Sequence, residues 1–263
     1  MASRKASQSL GLLDLQAGLS RWRLWLTLGY FDFITAFRRT LLGPLWQIAT
    51  VTAWIGGLWL VFGSERGASS LLYIGLGVIN WGLIQSIITS MSNVFRVNAS
   101  LIMNVPNPIS LYVFRKIAEQ TLRWLVQLSI APVLMIAFAV PLTPVILLIV
   151  PNLLIVLIIL TGASFGLAAL GTRLPALRFA LDAVMRLMFF MTPIFWTPGD
   201  NPLRTLIAQW NPFSYLLELL RNPLMGELPS SEAYLLSLAM AVGALGLGIA
   251  IFSYCRNRML SWI

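Results

Sequence analysis

MTPIFWTPGDNPLRTLIAQWNPFSYLLELLRNPLMGELP, residues 191–229, decides how this chain is read. An apolar run enters it and stops at Pro193 and Pro198. Two short apolar stretches follow, 203–210 and 213–220. Asn201-Pro202 and Asn211-Pro212 introduce them, and Asn222-Pro223 closes the second. An Asn side chain accepts from the free N–H groups at a helix start, and Pro suits the first helical position, whose N–H has no intrahelical partner. The spacing predicts two helices of about nine residues, each ~14 Å long at 1.5 Å per residue. That is half of the ~30 Å hydrocarbon thickness of a bilayer. Segments too short to span and too apolar for an aqueous loop are expected to dip into the membrane and return, against protein or a water-filled cavity. The expectation is therefore a re-entrant hairpin over 199–232 that builds a gate or a path.

Working outward, the rest of the chain has the same solvent. Hydrophobic residues make up 58% and charged residues 10%, too apolar for a soluble domain of this length. One polytopic membrane domain over 1–263 is expected, with no separate soluble domain. The net charge of +9 fits basic residues gathered on one side of a membrane. No basic face lies outside the apolar segments, which excludes nucleic acid as a partner. Cys255 is the one cysteine, so an internal disulfide and a cysteine metal site are both excluded. The absence of histidine removes the commonest general base and metal ligand. The first residues lack an apolar core with a small-residue cleavage site, so no cleaved signal peptide is expected.

Hydropathy then predicts an all-α polytopic membrane protein with six transmembrane helices, an N-terminal interfacial amphipathic helix and the hairpin between spans 5 and 6. Residues 1–18 are polar and expected to be loose or lightly helical. Residues 20–39 place Trp22, Trp25, Gly29, Phe33 and Phe37 on one helical face and Arg23, Asp32, Arg38 and Arg39 on the other, the pattern of a helix lying in the interface plane. The spans are expected over 41–63, 71–91, 117–140, 145–170, 179–197 and 234–254. Gly162-x-x-x-Gly166 in the fourth allows close helix approach. Arg115, Glu119 and Arg123, spaced i, i+4, i+8, are expected to form a ladder. Lys and Arg crowd the N-terminal segment, the 92–116 and 171–178 loops and the tail, which predicts both termini on the cytoplasmic side and the hairpin outside.

No phosphate-binding G-x-x-x-x-G-K-[ST] loop occurs, so this chain is not expected to hydrolyse ATP. No nucleophilic triad, paired-carboxylate site or metal cluster can be assembled, and no catalytic or metal-ligating residue is expected. Apart from Glu119 at the very start of the third, Asp182 is the one acid inside a predicted span, i, i+4 from Arg186. Either the two pair and lower each other's burial cost, or Arg186 meets an anionic head group.

Several blocks resemble the type-2 ABC exporters that move polysaccharides. They are Arg38-Arg39-Thr40-Leu41-Leu42-Gly43-Pro44-Leu45-Trp46, the 101–111 stretch with Arg115, Phe189-Phe190-Met191-Thr192-Pro193-Ile194-Phe195-Trp196, Asn211-Pro212-Phe213, and Glu218 through Gly226. They occur in family order and cover most of the chain from Trp22 to Trp262. The turn before span 5, Thr172 to Arg178, departs from the family pattern, and its acid is displaced to Asp182. The resemblance implies a homodimeric permease subunit, not itself an enzyme, with two copies of a separate nucleotide-binding ATPase subunit. No cofactor is expected in this chain; ATP and Mg belong to the partner subunit. The implied cargo is a lipid-linked glycan, an O-antigen above all, crossing the bacterial inner membrane among membrane lipids. Another cargo (capsule, teichoic acid, a small lipophilic compound) and an ion-coupled carrier or channel are the competing readings.

The resemblance also implies roles. Residues 93–112 become an ATPase-coupling segment holding a short helix, with Asn93, Phe95, Arg96, Asn98, Leu101, Asn104 and Asn107. Arg38, Arg39 and Arg186 become head-group contacts. Trp46, Trp54, Trp81, Phe189, Phe190, Phe195 and Trp196 become channel-lining residues on which sugar rings stack. Asn211, Pro212, Phe213, Glu218 and Arg221 become the gate, with Glu218 and Arg221 expected to pair with each other.

Overall fold

A computed structural model describes residues 2–38, 42–63, 67, 69–199, 201–259 and 261–262. It is 83% helix, with no strand among the described residues. In chain order the α-helices are α1 (Ala2–Ser20), α2 (Trp22–Phe37), α3 (Leu45–Leu58), α4 (Ser69–Met91), α5 (Val94–Val97), α6 (Ala99–Asn104), α7 (Ser110–Leu128), α8 (Ile130–Ala137), α9 (Ile149–Arg173), α10 (Leu177–Met191), α11 (Pro202–Trp210), α12 (Pro212–Arg221) and α13 (Ser231–Met259). Among the described residues, five helical stretches are long and apolar enough to cross a membrane: Leu45–Gly63, Ser69–Met91, Ser110–Ala137, Pro144–Arg173 and Ser231–Arg256.

The stretch expected as span 5 is not among them. α10 has 15 residues and reaches ~22 Å at 1.5 Å per residue. It ends because Thr192 is extended (ψ 141°), the conformation a following proline favours. Residues 192–196 then run as non-helical chain with buried side chains. The expected 117–140 span starts earlier, at Ser110, and breaks between α7 and α8, where Ser129 Oγ donates to the Val126 carbonyl (2.7 Å). The start of the first expected span, Leu41, lies outside the described residues.

The N-terminal segment is a continuous helix rather than loose chain. Gly11 lies against Ser253 of α13 and Gly18 against Ser110 of α7, so missing side chains allow α1 to dock closely. Between them Asp14 is 8% exposed. Its carboxylate accepts from the backbone N–H groups of Ile109 (3.1 Å) and Ser110 (2.9 Å) and from Arg256 Nε (2.8 Å). It thereby caps α7 and ties it to α13.

α4 is the axis of the bundle. Of its most apolar window 72% is buried, against 11% for the α3 stretch. α9 and α13 pack backbone to backbone: a Cβ on Gly162 would stand 2.5 Å from the Ala244 carbonyl carbon, and one on Gly248 would strike Gly162. This is the close approach predicted from the Gly162/Gly166 spacing. At one end, here the basic end, α1, α2, α5 and α6 surround the start of α7 and the ends of α4, α9 and α13. At the other, the hairpin end, α12 packs by the starts of α4 and α9 and carries α11.

The two short helices stand where the Asn-Pro steps predicted them. The Asn201 side chain accepts from Leu203 N–H (2.8 Å) and that of Asn211 from Phe213 N–H (3.0 Å). α12 buries Leu216, Leu217, Leu219 and Leu220 among α4, α9 and α13, and Asn152 Nδ2 of α9 donates to the Leu219 carbonyl (2.8 Å).

Candidate functional site

α4 presents an apolar half to the core, through Leu76, Ile79, Leu83 and Ile87. Its other half carries Gly82, Gln85, Ser86, Thr89 and Ser90, with Asn93 just beyond. Their spacing of three and four puts them in one stripe. Three cavities lie in series along this stripe. The first, about 430 Å³ at the basic end, is lined by Asp32, Asn93, Asn98, Arg115, Lys116, Glu119, Arg178 and Asp182 among others. The second, about 340 Å³, shares Lys116 and Glu119 with the first and adds Gln47, Gln120, Arg123 and Gln127. The third, about 440 Å³, shares Gly82 and Gln127 with the second and adds Trp54, Trp81, Gln85, Arg186, Phe189 and Phe190. A fourth, about 400 Å³ at the hairpin end, is lined by Tyr73 at the start of α4 and by Pro193, Tyr215, Glu218 and Arg221. The lining thus passes from charged, through amide, to aromatic.

The charges of the first two cavities are tied to one another. Arg115 meets Asp32 of α2 bidentately, Nε to Oδ2 at 2.5 Å and Nη2 to Oδ1 at 2.6 Å. Glu119 takes Lys116 Nζ (2.7 Å) on one oxygen and Arg123 Nη2 (2.8 Å) on the other. The expected ladder therefore forms only between Glu119 and Arg123. Arg115 turns across to α2 because Gly29, lacking a side chain, lets α2 sit on the Arg115 carbonyl and Ala118. Asp182 and Arg186 form no ion pair: Asp182 lines the first cavity and Arg186 the third. One helical turn separates the two cavities' openings on α10, and Arg186 is exposed there.

Of the aromatics expected to line a channel, the structure brings together Trp54, Trp81, Phe189 and Phe190. Trp81 Nε1 donates to Gln85 Oε1 (2.8 Å), fixing the indole. Phe195 and Trp196 are buried behind them, with Trp196 Nε1 donating to the Phe190 carbonyl (3.0 Å); they hold the third cavity's wall and do not line it. Trp46 is 56% exposed at the start of α3, outside this cavity. Arg38 is exposed at the end of α2, and Arg39 lies outside the described residues.

The residues expected to form a gate make a latch between α12, α4 and the 192–196 chain. Arg221 is 6% exposed, with its guanidinium 3.8 Å from the Tyr73 ring centre and Nη1 donating to the Pro193 carbonyl (2.7 Å). Tyr73 OH donates towards the Pro193 (3.1 Å) and Trp196 (3.2 Å) carbonyls. Asn211 Nδ2 donates to Thr192 Oγ1 (2.8 Å) and the Met191 carbonyl (3.1 Å), Pro212 opens α12, and Phe213 meets Trp81 edge-on at 5.6 Å. Glu218 does not pair with Arg221; its Oε1 accepts from Ser230 N–H (2.7 Å) ahead of α13. The partner of Arg221 is backbone and ring because α12 turns it inward, away from Glu218. Beside it, the Tyr215 hydroxyl donates to the Gln209 carbonyl (2.8 Å).

The expected coupling segment contains two short helices, α5 and α6, and its last residues belong to α7. Phe95 is buried against Phe252 of α13, Arg96 Nη2 donates to the Thr172 carbonyl (3.0 Å), and Arg21 Nη1 donates to Asn107 Oδ1 (2.6 Å). Asn98 Nδ2 and Asn104 Nδ2 donate to carbonyls one turn back, those of Val94 (2.7 Å) and Ser100 (2.8 Å). Asn93 precedes α5 and lines the first cavity. Val97, Leu101, Met103 and Val105 are exposed, an apolar knob on an anchored segment.

Sequence reasoning missed Asp14, Tyr73 and the amides Gln47, Gln120 and Gln127. The stripe Gly82-x-x-Gln85-Ser86-x-x-Thr89-Ser90 was the available signal: polar residues at helical spacing inside a charge-free span are costly unless used. The chain matches no family model and no curated protein.

Proposed function

We propose that the chain is the permease subunit of an ATP-driven exporter that carries a lipid-linked polysaccharide, an O-antigen in the first instance, across the bacterial inner membrane. The carrying observation is the series of cavities along α4, graded from paired charges to amides to aromatic faces. Such a lining suits a hydroxyl-rich polymer, whose sugar rings stack on indole and phenyl planes without fixed bonds. In this reading two copies of the chain face each other, so that the exposed sides of α3 and α10 enclose a pore. α10 and the buried chain after it complete a sixth crossing, and both termini lie in the cytoplasm. α11 and α12 return into the bilayer as an outer gate held by Arg221 and Tyr73. The apolar knob of α5 and α6 seats in a cleft of each of two ATPase subunits, which bind the ATP and Mg. Its anchorage to α1, α9 and α13 passes ATPase closure into the spans as a rigid-body movement.

The test is affinity purification of the tagged full chain from mild detergent. An ATPase subunit is expected to co-purify, and Leu101→Asp with Met103→Asp is expected to release it. A chain that never retains an ATPase subunit overturns the reading.

A further inference from the structure

The hydrogen-bonding groups in the middle of the lane are of one chemical kind. Gln47 of α3, Gln120 and Gln127 of α7, and Gln85 of α4 converge on the second and third cavities. Gln47 Oε1 is buried without a partner. Gly82 forms the floor common to both cavities: a Cβ there would meet only Gln127 Oε1, at 3.1 Å, so the glycine keeps the passage open between them. A buried amide that finds no partner is unfavourable, and here four amides, Gln120 buried and the other three half-buried, border two adjoining cavities between α3, α4 and α7.

Amide chemistry selects the ligand. A carboxylate only accepts hydrogen bonds and an ammonium or guanidinium only donates them, whereas an amide does both. Hydroxyl groups also do both. The carboxylates and cations that border the second cavity are occupied with each other, Glu119 between Lys116 and Arg123. Among the described residues, Arg186 is the one charged group lining the third cavity, and it opposes a cationic ligand by like charge. Trp54, 56% exposed, borders the same space with a broad apolar face, and the buried Trp81 behind it fixes Gln85.

We propose that Gln47, Gln85, Gln120 and Gln127 are an amide lane that hydrogen-bonds an uncharged, hydroxyl-rich oligosaccharide while Trp54 stacks on its rings. This rests on the exporter reading for the cargo, but the lane's selectivity belongs to these side chains. Affinity is weak, near a millimolar Kd, because a chain held tightly at one step does not move to the next.

The experiment titrates the full chain, in lipid nanodiscs, with maltoheptaose as an uncharged oligosaccharide and with tetraphenylphosphonium as an apolar cation, following tryptophan fluorescence. Maltoheptaose is expected to give a saturable change. Gln47→Leu with Gln127→Leu weakens it at least ~5-fold, each lost amide bond counting ~2- to 10-fold, and Gly82→Leu abolishes it. If the double Leu variant loses its monodisperse elution, Gln127→Asn alone, which keeps the amide but withdraws it by one methylene, is expected to weaken maltoheptaose binding by a smaller factor. Absence of maltoheptaose binding overturns the proposal. So does equal binding by wild type and the variants, or saturable tetraphenylphosphonium binding stronger than that of the sugar. Surface glycan in cells separates the two readings. If loss of the chain abolishes surface glycan and the double Leu variant restores it at the wild-type rate, the lane falls and the exporter stands. If loss of the chain leaves surface glycan intact, the exporter reading falls and the maltoheptaose titration alone decides the lane.

Discussion

The α9–α13 seam joins the two most apolar stretches, of mean hydropathy 2.9 and 2.3, and is closed; the α3–α4–α7 lane lies among less apolar ones, 1.5, 1.7 and 1.3, and is hollow. At the seam, Gly162 and Gly248 bring two backbones into contact, and Ala244 fills what remains. Along the lane, Gly82 is just as small, but what faces it is a glutamine on α7 and the loosely covered α3. Small residues opposite small residues bring helices together. Small residues opposite long amides leave space lined by hydrogen-bonding groups. What faces each glycine thus separates a seam that holds the bundle from a lane that the proposed function uses for passage.

The seam gives the largest expected effect. Gly248→Leu drives a side chain into Gly162, and the helices must part along their length. The loss is expected to exceed the ~1–3 kcal/mol typical of overpacked cores, seen as a collapsed monodisperse yield and a lowered Tm in detergent. Gly82→Leu, by contrast, is expected to leave Tm nearly unchanged, since only a flexible Gln127 side chain is displaced. Equal losses from the two variants would erase the distinction.

Next comes the latch at the hairpin end. Arg221→Ala removes a buried guanidinium stacked on Tyr73 and bonded to the Pro193 carbonyl, with an expected cost of about 2–3 kcal/mol. Tyr73→Phe keeps the ring under Arg221 and removes only the hydroxyl contacts to Pro193 and Trp196, so about 1 kcal/mol is expected. Thermal unfolding of the two variants checks the order; a larger loss from Tyr73→Phe would show that the hydroxyl, not the cation, holds the 192–196 chain.

Sequence made the repeating elements legible and left the cross-connections dark. The Asn-Pro steps placed α11 and α12 almost to the residue, because capping is local. Five of the long apolar helices announced themselves by hydropathy, and the Gly162/Gly166 spacing announced the seam. α10 was overestimated because Ile194, Phe195 and Trp196 extend its apolar run beyond the point where Thr192 and Pro193 end the helix. Asp182–Arg186 and Glu218–Arg221 looked like pairs by helical spacing, yet each partner is turned to a different cavity or backbone group. Spacing alone does not contain that choice, because it depends on which helix lies opposite. Asp14 was invisible for the same reason: its partners Ile109, Ser110 and Arg256 are brought to it only by the fold.

Asp14 gives an intermediate effect that joins the two regions. Asp14→Ala uncaps α7 and leaves Arg256 without its carboxylate, with an expected cost of about 1–2 kcal/mol. The change should be local: hydrogen exchange quickens in α1 and at 105–112, while the α9–α13 seam keeps its protection. Faster exchange along α13 as a whole would mean that α1 supports the seam and does not merely clamp the 105–112 stretch.

The smallest expected effect on stability is also the sharpest test of the contrast. Trp54 is 56% exposed and borders the third cavity, where it meets Phe189 at 6.3 Å. Phe189 is 8% exposed and touches Trp54, Trp81, Phe190 and Phe195. Removing the two rings should therefore separate packing from passage. Phe189→Ala empties a filled site and is expected to cost about 3–5 kcal/mol. Trp54→Ala is expected to stay within about 0.5 kcal/mol, as exposed positions do, yet to slow glycan export several-fold by removing a stacking face from the lane. Export and Tm measured on both variants decide the matter. If Trp54→Ala exports normally with an unchanged Tm, its ring faces lipid, and the aromatic wall narrows to Trp81, Phe189 and Phe190. If it unfolds like Phe189→Ala, α3 is held to the bundle more firmly than its exposure indicates, and the lane shares the structural burden of the seam.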